Sequence, residues 1–300
     1  MPTILITGGS GLIGTRLTQL LVGHGHNVRH LSRSKRTDAP VPVFTWSIER
    51  GEVDPQALEG VDHIIHLSGA SIAGGRWTAA RMRVLYDSRV KAAEVLLAAA
   101  ERFGRFPGSF ISASGINYYG AVTSEHVFSE DDPPADDAIG TLAQAWEHAA
   151  DRWAPHCRVV KLRTPMVLAK QGGAWPKLSA TARRGLAAPL GSGRQWITWV
   201  HLDDIARAYA HAVTHAGMHG AYTVAATEQV SNRDFTRQMA HALHKPAFLP
   251  GVPAVFLRLA LGRLSDVLLK GSRVSNEKLL GSGFRFRYPT LGAALGELAG

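Results

Sequence analysis

Three glycines near the amino end have the spacing of a phosphate-binding turn. They lie at positions 8, 11 and 14 of the segment Thr7-Gly8-Gly9-Ser10-Gly11-Leu12-Ile13-Gly14. Gly8 permits a tight turn, Gly11 lets the backbone approach a diphosphate, and Gly14 lets a helix pack closely on a strand. The helix that follows presents free N–H groups and a positive dipole to phosphates. The pattern predicts a dinucleotide loop with contacts from Gly8, Gly9, Ser10, Gly11, Leu12, Ile13 and Gly14.

The end of the second predicted strand indicates which dinucleotide binds. An NAD site usually has Asp or Glu there, which accepts hydrogen bonds from the ribose 2′-hydroxyl. This chain reads Leu31-Ser32-Arg33-Ser34-Lys35-Arg36, with no acidic residue before Asp38. An arginine at this place can stack on adenine and bind a 2′-phosphate. We therefore predict NADP(H), with contacts from Ser32, Arg33 and Arg36; a solvated basic turn is the alternative.

Alternating strands and helices position these residues. Short apolar, β-branched runs predict strands over residues 3–7, 27–32, 43–46, 63–67, 108–113 and 158–162. Helical spacing of apolar residues begins at Leu12 and ends at Gly23, and recurs over residues 78–103 and 139–153. Strands separated by helices form βαβ units and a parallel sheet. The predicted fold class is α/β: an NAD(P)-binding Rossmann fold with a doubly wound parallel sheet.

After Arg163 the sequence pattern changes. Glycine and proline occur more often, and predicted strands and helices no longer alternate regularly. We predict a Rossmann domain over residues 1–165 and a smaller, mainly substrate-binding lobe over residues 166–300. A return segment around residues 197–226 is expected to complete the first domain.

Composition and charge exclude several classes of protein. The formal net charge is +9, but the cations are scattered, so we expect no nucleic-acid partner. No run of eighteen apolar residues is present, which argues against a membrane span, and the first residues lack a secretory leader, so we expect a cytoplasmic protein. The single cysteine, Cys157, precedes Val159 and Val160 and is expected to be a buried strand residue rather than a nucleophile.

Three histidines at helical spacing invite a search for a metal site. His211, His215 and His219 recur every four residues. Glycines at 217 and 220 end the predicted helix before His219, and no His-Glu-x-x-His pattern accompanies it. We expect a solvated helix face and no metal.

Further segments carry a resemblance to a known family. They are His66-Leu67-Ser68-Gly69-Ala70, Gly75-Arg76-Trp77-Thr78, Asp87-Ser88-Arg89-Val90, Ser112-Ala113-Ser114-Gly115-Ile116-Asn117-Tyr118-Tyr119-Gly120, Trp146-Glu147, Leu162-Arg163-Thr164, Gly191-Ser192-Gly193-Arg194-Gln195-Trp196, His201-Leu202-Asp203-Asp204 and Gly283-Phe284-Arg285-Phe286. Together with the glycine loop they resemble the extended short-chain dehydrogenase/reductases, and more specifically their atypical, nucleoside-diphosphate-sugar epimerase-like branch. The resemblance covers nearly the whole chain.

The resemblance implies two groups of binding residues. Further cofactor contacts would come from Leu67, Ser68, Gly69, Ala70, Ser112, Arg163 and Pro165. A substrate pocket would include Arg76, Trp77, Lys177 and Arg194, whose positive charges suit a small polar or anionic molecule such as a nucleotide sugar. The alternatives are that Trp77 only packs and that Lys177 and Arg194 are solvated.

The catalytic residues of the family are only partly present. Its standard members use a serine with Tyr-x-x-x-Lys, in which the lysine helps the phenol to exchange a proton with substrate. Ser114 fits the serine position. The six tyrosines are at 86, 118, 119, 209, 222 and 288, and none has a lysine four residues later. Aligned on Trp146-Glu147, the expected pair falls near Ile139 and Ala143.

Two functions follow from this absence. In the first, the protein is an NADP(H)-dependent oxidoreductase or epimerase that uses Ser114, Tyr119, Tyr118, Glu147 or an ordered water in place of the missing pair. Glu147 would need burial for that role, whereas a helical glutamate is more often exposed. In the second, the chain binds NADP(H) without turnover, as a sensor or scaffold. Residues 78–101 could pair with a second copy or simply pack on the sheet.

Overall fold

Strands and helices alternate along the whole chain, and the computed structural model describes all 300 residues. The strands are β1 (Thr3–Thr7), β2 (Asn27–Ser32), β3 (Val43–Ser47), β4 (Glu52–Val53), β5 (His63–His66), β6 (Ser109–Gly115), β7 (Val127–Phe128), β8 (Arg158–Thr164), β9 (Met166–Leu168), β10 (Trp196–Ile197), β11 (Trp199–His201), β12 (Gly220–Thr223), β13 (Val230–Ser231) and β14 (Arg273–Val274). The predicted strands therefore form close to their expected bounds.

The helices follow the strands in the expected order. They are α1 (Leu12–Gly23), α2 (Ala79–Tyr86), α3 (Ala92–Phe103), α4 (Ala138–Asp151), α5 (Trp175–Arg183), α6 (Leu202–Thr214), α7 (Asn232–Ala242), α8 (Ala254–Leu261), α9 (Ser265–Leu269), α10 (Glu277–Gly281) and α11 (Leu291–Ala299). None of them combines the length and the apolar character that crossing a bilayer requires.

Eight strands form one sheet in the order β12-β8-β6-β5-β1-β2-β3-β4, and only the last pair is antiparallel. The chain runs outward from β1 through β2 and β3, then crosses to β5 and runs outward in the other direction. The order of strands therefore reverses between β1 and β5. Ligands of open α/β sheets bind at such a switch point, beyond the carboxyl ends of the strands. The doubly wound Rossmann architecture is confirmed.

Helices cover both faces of this sheet. Ile4 and Ile6 pack into one cluster with Leu17 of α1, whereas Leu5 packs into another with Leu96 of α3. Alternate residues of a strand point to opposite faces, so the middle of β1, Ile4 to Ile6, must be apolar on both faces. Full burial of each such side chain contributes about 1.5–3 kcal/mol. The core thus fixes the carboxyl end of β1, where the glycine loop begins.

The second half of the chain contributes to the sheet and forms a further cluster. Strand β12 pairs with β8, with Tyr222 opposite Leu162, whereas β11 pairs with β9 in a separate two-stranded sheet. Trp175 of α5, Phe235 of α7 and Leu291 of α11 pack into a cluster of their own. Part of the predicted return segment therefore rejoins the first sheet; the division into two domains stays a prediction.

Three details differ from the sequence-based expectations. The predicted helix over residues 78–103 is interrupted by a π-helical turn, residues 87–91, where the side chains of Ser88 and Arg89 also reach out of the helix to bond Ala70. Strand β4 was not predicted because two residues carry no periodicity. Cys157 is half-buried and directly precedes β8; burial raises the pKa of its thiol to about 11, so it stays protonated at neutral pH.

Candidate functional site

The glycine loop has the close contacts that its spacing predicts. Gly8 has a φ of +71°, and a Cβ there would lie 3.0 Å from the carbonyl of Leu67 at the end of β5. A Cβ on Gly14 would lie 2.4 Å from the Gly8 oxygen. No side chain caps the N-terminus of α1, so its first N–H groups stay available to a ligand. Loop, strand and helix form a cradle that any larger side chain would disturb.

A buried histidine supports the loop from below. A Cβ on Gly9 would lie 2.4 Å from the ring of His30. That ring lies 2.8 Å from the hydroxyl of Thr18 on α1, and burial lowers its pKa. Gly9 is therefore needed for packing over His30, while Ser10 is exposed above the loop. Leu12 lies close to the second half of the chain, because a Cβ on Gly172 would lie 3.2 Å from its Cδ1.

The basic turn after β2 lies in solvent next to this cradle. Arg33 is exposed and forms no ion pair or hydrogen bond within the protein, and Ser32 is half-buried. Arg36 forms an exposed ion pair with Asp38, with 3.4 Å between Nη2 and Oδ2. Arg33, like Lys35, is thus an unengaged cation of the turn, and its role toward a 2′-phosphate stays a prediction.

Side chains from two elements fix the turn after β5. The Thr7 hydroxyl lies 2.9 Å from Nδ1 of the fully buried His66, and it accepts the Ser68 N–H at 3.2 Å. Two residues later, the Ala70 N–H donates to Ser88 Oγ at 2.9 Å. The Ala70 carbonyl accepts Nη2 of Arg89 at 2.9 Å. The segment from Leu67 to Ala70, which was predicted to touch cofactor, is therefore held rigidly at the switch point.

A buried network joins the ends of β6 and β8. The Ser114 hydroxyl donates to Oε1 of Glu147 at 2.7 Å. The same carboxylate accepts Nε and Nη2 of Arg163 at 2.8 Å and 3.0 Å. Burial alone would lower the pKa of Arg163, but the hydrogen bonds and charge of Glu147 outweigh it and raise the pKa. Ser114, Glu147 and Arg163 are each at most 4% exposed to solvent.

This network corrects the expectation for Glu147 and shows how Arg163 is engaged. Glu147 is not an exposed helical glutamate: α4 packs on β6 and turns this side chain into the interior. The guanidinium of Arg163 is engaged by Glu147 and by the Tyr119 hydroxyl, which it contacts at 2.8 Å. Three of its five N–H groups are therefore used within the protein, and its contact with a cofactor stays a prediction. Pro165 and Ser112 are also buried.

The two adjacent tyrosines have different surroundings. Tyr119 is buried, and its hydroxyl donates to the Ser129 carbonyl at 2.7 Å while accepting from Arg163. Burial raises its pKa. Tyr118 is half-buried, its ring lies 3.6 Å from Cζ of Arg163, and its hydroxyl has no partner in the protein. Only Tyr118 is therefore free to exchange a proton with a bound molecule.

The positions expected for the family's tyrosine and lysine are filled by apolar side chains. Ile139 and Ala143 are each 4% exposed on the inner face of α4. Both lie on the helix face that carries Glu147, and α4 packs here on the 3₁₀ turn 116–119. The missing acid–base pair is thus not replaced by another titratable group at the same place.

The predicted substrate residues lie on separate elements. Arg76 is exposed beside Gly262, and half-buried Trp77 donates its indole N–H to the Ile72 carbonyl at 3.0 Å. Lys177 is exposed on α5, and Arg194 is exposed in the turn before β10. That Arg76, Lys177 and Arg194 line one pocket therefore stays a prediction.

Other features lie away from the cradle. A cavity of about 610 Å³ opens between α5, α7 and α11, and none of the predicted site residues lines it. His215 and His219 are exposed, but His211 is half-buried against Ser282, so this face is only partly solvated. No group of three or more metal-binding side chains occurs.

Two residues of this site were not anticipated as such from the sequence. Arg89 was part of a matched segment, but nothing in its spacing indicated that it is buried under Gly69. Thr7 was read only as the last residue before the glycines, and its hydroxyl turns out to connect the ends of β1 and β5. Burial by distant elements decides both roles, and local sequence carries no signal for it.

Comparisons with known proteins agree with this geometry. Residues 4–225 match the NAD dependent epimerase/dehydratase family, and residues 252–298 match a domain of unknown function, DUF1731. The chain is 37% identical to the Epimerase family protein Mb2239 of Mycobacterium bovis, over 98% of this chain and 96% of that one.

Two solved structures show the same fold. Human epimerase family protein SDR39U1 (isoform 2), solved with NADPH, has a TM-score of 0.88 at 31% identity, covering 99% of both chains. The nucleoside-diphosphate sugar epimerase of Corynebacterium glutamicum has a TM-score of 0.82 at 25% identity; the match covers 100% of this chain and 59% of that one.

Proposed function

Since this chain belongs to the NAD dependent epimerase/dehydratase family, we propose that it is a cytoplasmic NADP(H)-dependent oxidoreductase or epimerase of the atypical short-chain dehydrogenase/reductase type. Its substrate is a small polar or anionic molecule. The observation that supports turnover is the buried Ser114–Glu147–Arg163 network, which leaves Tyr118 as a free hydroxyl next to it.

NADP(H) fits the residues that are present. The glycine cradle leaves an uncapped helix N-terminus for the phosphates, and Arg33 is an unengaged cation at the end of β2, where Asp or Glu would select NAD. The relative that was solved with NADPH supports the same choice. When bound, the nicotinamide supplies or accepts a hydride.

The protein's own groups then have to bind the substrate and move a proton. Tyr118 is the candidate donor because its hydroxyl has no competing partner and its ring is held by Arg163. Ser114 gives its only proton to Glu147, so it can accept a hydrogen bond from a substrate hydroxyl but not donate one. Tyr119 closes the far side of the network. In this arrangement Tyr118 exchanges the proton, and Ser114 and Tyr119 position it.

Substitution of the two tyrosines tests this assignment. Tyr118→Phe removes the free hydroxyl and should abolish substrate-dependent NADPH oxidation while leaving NADPH affinity unchanged. Tyr119→Phe removes two buried hydrogen bonds at the adjacent position, so it should lower stability by about 1–3 kcal/mol and retain measurable turnover. Equal turnover in wild type and Tyr118→Phe would refute the role of Tyr118.

One observation favours a second function, namely a sensor or scaffold that binds NADP(H) without turnover. Ile139 and Ala143 leave no titratable group where the family has its tyrosine and lysine. Isotope exchange at the nicotinamide C4 separates the two functions, because it requires hydride transfer. Exchange on addition of candidate nucleotide sugars or small acids supports the enzyme; tight NADPH binding with no exchange for any of them supports the sensor.

A further inference from the structure

Arg89 is a buried cation without an acidic partner. It lies in the π-helical turn between α2 and α3 and is 5% exposed. No carboxylate lies within ion-pair distance of its guanidinium. By contrast, the other buried arginine, Arg163, is neutralised by Glu147. Burying an unpaired charge is expensive, so buried charges are normally paired. The absence of a counter-ion requires an explanation.

The hydrogen bonds of Arg89 leave part of the guanidinium unused. Nη1 donates to the Leu85 carbonyl at 3.2 Å and to Ser88 Oγ at 3.4 Å, and Nη2 donates to the Ala70 carbonyl at 2.9 Å. A guanidinium has five N–H groups. The Nε–H and one Nη2–H therefore have no acceptor in the protein. Desolvation lowers the pKa of Arg89 to about 10, so it still carries its charge at neutral pH.

The unused donors lie under Gly69. A Cβ at position 69 would lie 3.3 Å from Nη2 and 3.5 Å from Nε of Arg89. Gly69 itself is exposed, and it follows β5 at the switch point next to Gly8. Glycine here does not have a positive φ, so backbone conformation does not demand it. The missing side chain instead leaves the guanidinium reachable from the site above.

Ordered contacts hold this arrangement in place. Ser88 and Arg89 together bind both the N–H and the carbonyl of Ala70. The Arg89 guanidinium also lies 4.9 Å from the ring of Trp146 on α4. Isolated π-helical turns are frequent at functional sites. This turn presents two consecutive side chains to the backbone that borders the cofactor site.

We propose that Arg89 is an anion-binding residue that donates through the gap at Gly69 to an anionic oxygen of the molecule bound above it. Resting on the proposed NADP(H) site, this assigns the anion to the diphosphate of the dinucleotide. The bound anion supplies the counter-charge that the protein lacks.

Two variants test this from opposite sides. Arg89→Met removes the charge with similar side-chain length, and Gly69→Ala keeps the charge but covers the free donors. Each should weaken NADPH binding about tenfold to hundredfold, as expected for a lost hydrogen bond to a charged group. Binding of adenosine 2′,5′-bisphosphate, which lacks the diphosphate bridge, should change less than threefold. Gly23→Ala, where a Cβ meets no atom within 4 Å, is the control.

The titrations, followed by tryptophan fluorescence, distinguish three results. Selective loss of NADPH affinity in both variants supports the assignment to the diphosphate. Unchanged NADPH affinity, with loss of inorganic pyrophosphate binding to the NADPH-loaded protein, supports Arg89 as an anion site that serves the substrate instead. Equal loss of all three probes, or of none, overturns the proposal, because a structural role would affect them alike. If wild type binds no NADPH, the proposed function itself fails.

Discussion

Glu147 and Arg163 form a two-point ion pair inside the protein, with 2.8 Å between Nε and Oε1 and 3.0 Å between Nη2 and Oε2. The pair connects α4 to the end of β8, and Ser114 on β6 donates to the same carboxylate. Removal of one partner from such a pair leaves the other charge buried and uncompensated. The pair therefore stabilises the geometry of the site only while it is complete.

The ion pair predicts a large effect of Glu147→Gln. Loss of the carboxylate leaves Arg163 buried without a counter-charge, so the free energy of unfolding should fall by about 3–5 kcal/mol. Asp151→Asn is the matched control, because it also removes a carboxylate from α4 but from an exposed partner of Lys161. That change should stay within about 1 kcal/mol. Urea denaturation measures both; similar losses in the two variants would contradict the prediction.

The glycine cradle predicts that alanine substitution at two glycines of α1 has very different effects on stability and on NADPH binding. A Cβ on Gly14 would lie 2.4 Å from the Gly8 carbonyl, whereas one on Gly23 meets no atom within 4 Å. Gly14→Ala should therefore lower stability by about 1–3 kcal/mol and abolish NADPH binding, because the loop must open. Gly23→Ala should leave stability unchanged or raise it by up to about 1 kcal/mol. Denaturation together with an NADPH titration gives both values.

Normal NADPH binding by Gly14→Ala would show that close helix–strand packing is not what shapes the loop. A fall in stability without loss of binding would have the same meaning.

The free positive charge of Arg33 predicts a preference for NADPH over NADH. Arg33→Asp replaces an unengaged cation with a carboxylate that can accept a hydrogen bond from the ribose 2′-hydroxyl. It should weaken NADPH binding about tenfold to hundredfold and leave NADH binding equal or stronger. Lys35→Asp makes the same charge change two residues away in the same exposed turn and should affect NADPH only weakly. Calorimetric titration of both nucleotides into wild type and the two variants tests this.

An equal effect of Arg33→Asp on NADPH and NADH would refute the 2′-phosphate assignment. An equal effect of Arg33→Asp and Lys35→Asp on NADPH binding would mean that the turn attracts the nucleotide only through its overall positive charge.

The lowered pKa of His66 predicts how the free energy of unfolding depends on pH. The imidazole is fully buried next to Thr7, and desolvation lowers its pKa from 6.5 to about 4. Between these values the unfolded chain binds the proton and the folded protein does not. Protonation of His66 therefore costs no free energy of unfolding above pH 6.5, and the free energy of unfolding falls as the pH falls toward 4. We expect a loss of about 3 kcal/mol over this interval.

Substitution isolates the contribution of His66. His66→Asn keeps a polar group near Thr7 but does not titrate, so the slope of stability against pH should become shallower, whatever the absolute stability. His24→Asn, at an exposed position, should leave the slope as in wild type. Denaturation near pH 7 and near pH 4 measures it, and an unchanged slope in His66→Asn would argue against the assignment.

Local sequence determined much of this protein. The glycines at 11 and 14 specify a loop because the atoms that confine them belong to Gly8 and Gly9, a few positions away, whereas Gly8 is also confined by Leu67 from a distant strand end. The strands and main helices follow from periodicity, since alternation and helical spacing are properties of neighbouring residues. The absence of Tyr-x-x-x-Lys was also visible in the sequence and could be assigned to Ile139 and Ala143.

The tertiary structure decided what the remaining polar residues do. Tyr118 and Tyr119 are adjacent and chemically identical, yet Arg163, more than forty positions away, engages the hydroxyl of one and only the ring of the other. Glu147 is buried because β6 and β8 bring Ser114 and Arg163 to it. Arg89 is a candidate ligand contact because Gly69 leaves it uncovered. Burial and partner choice depend on contacts between distant segments, and no local pattern records them.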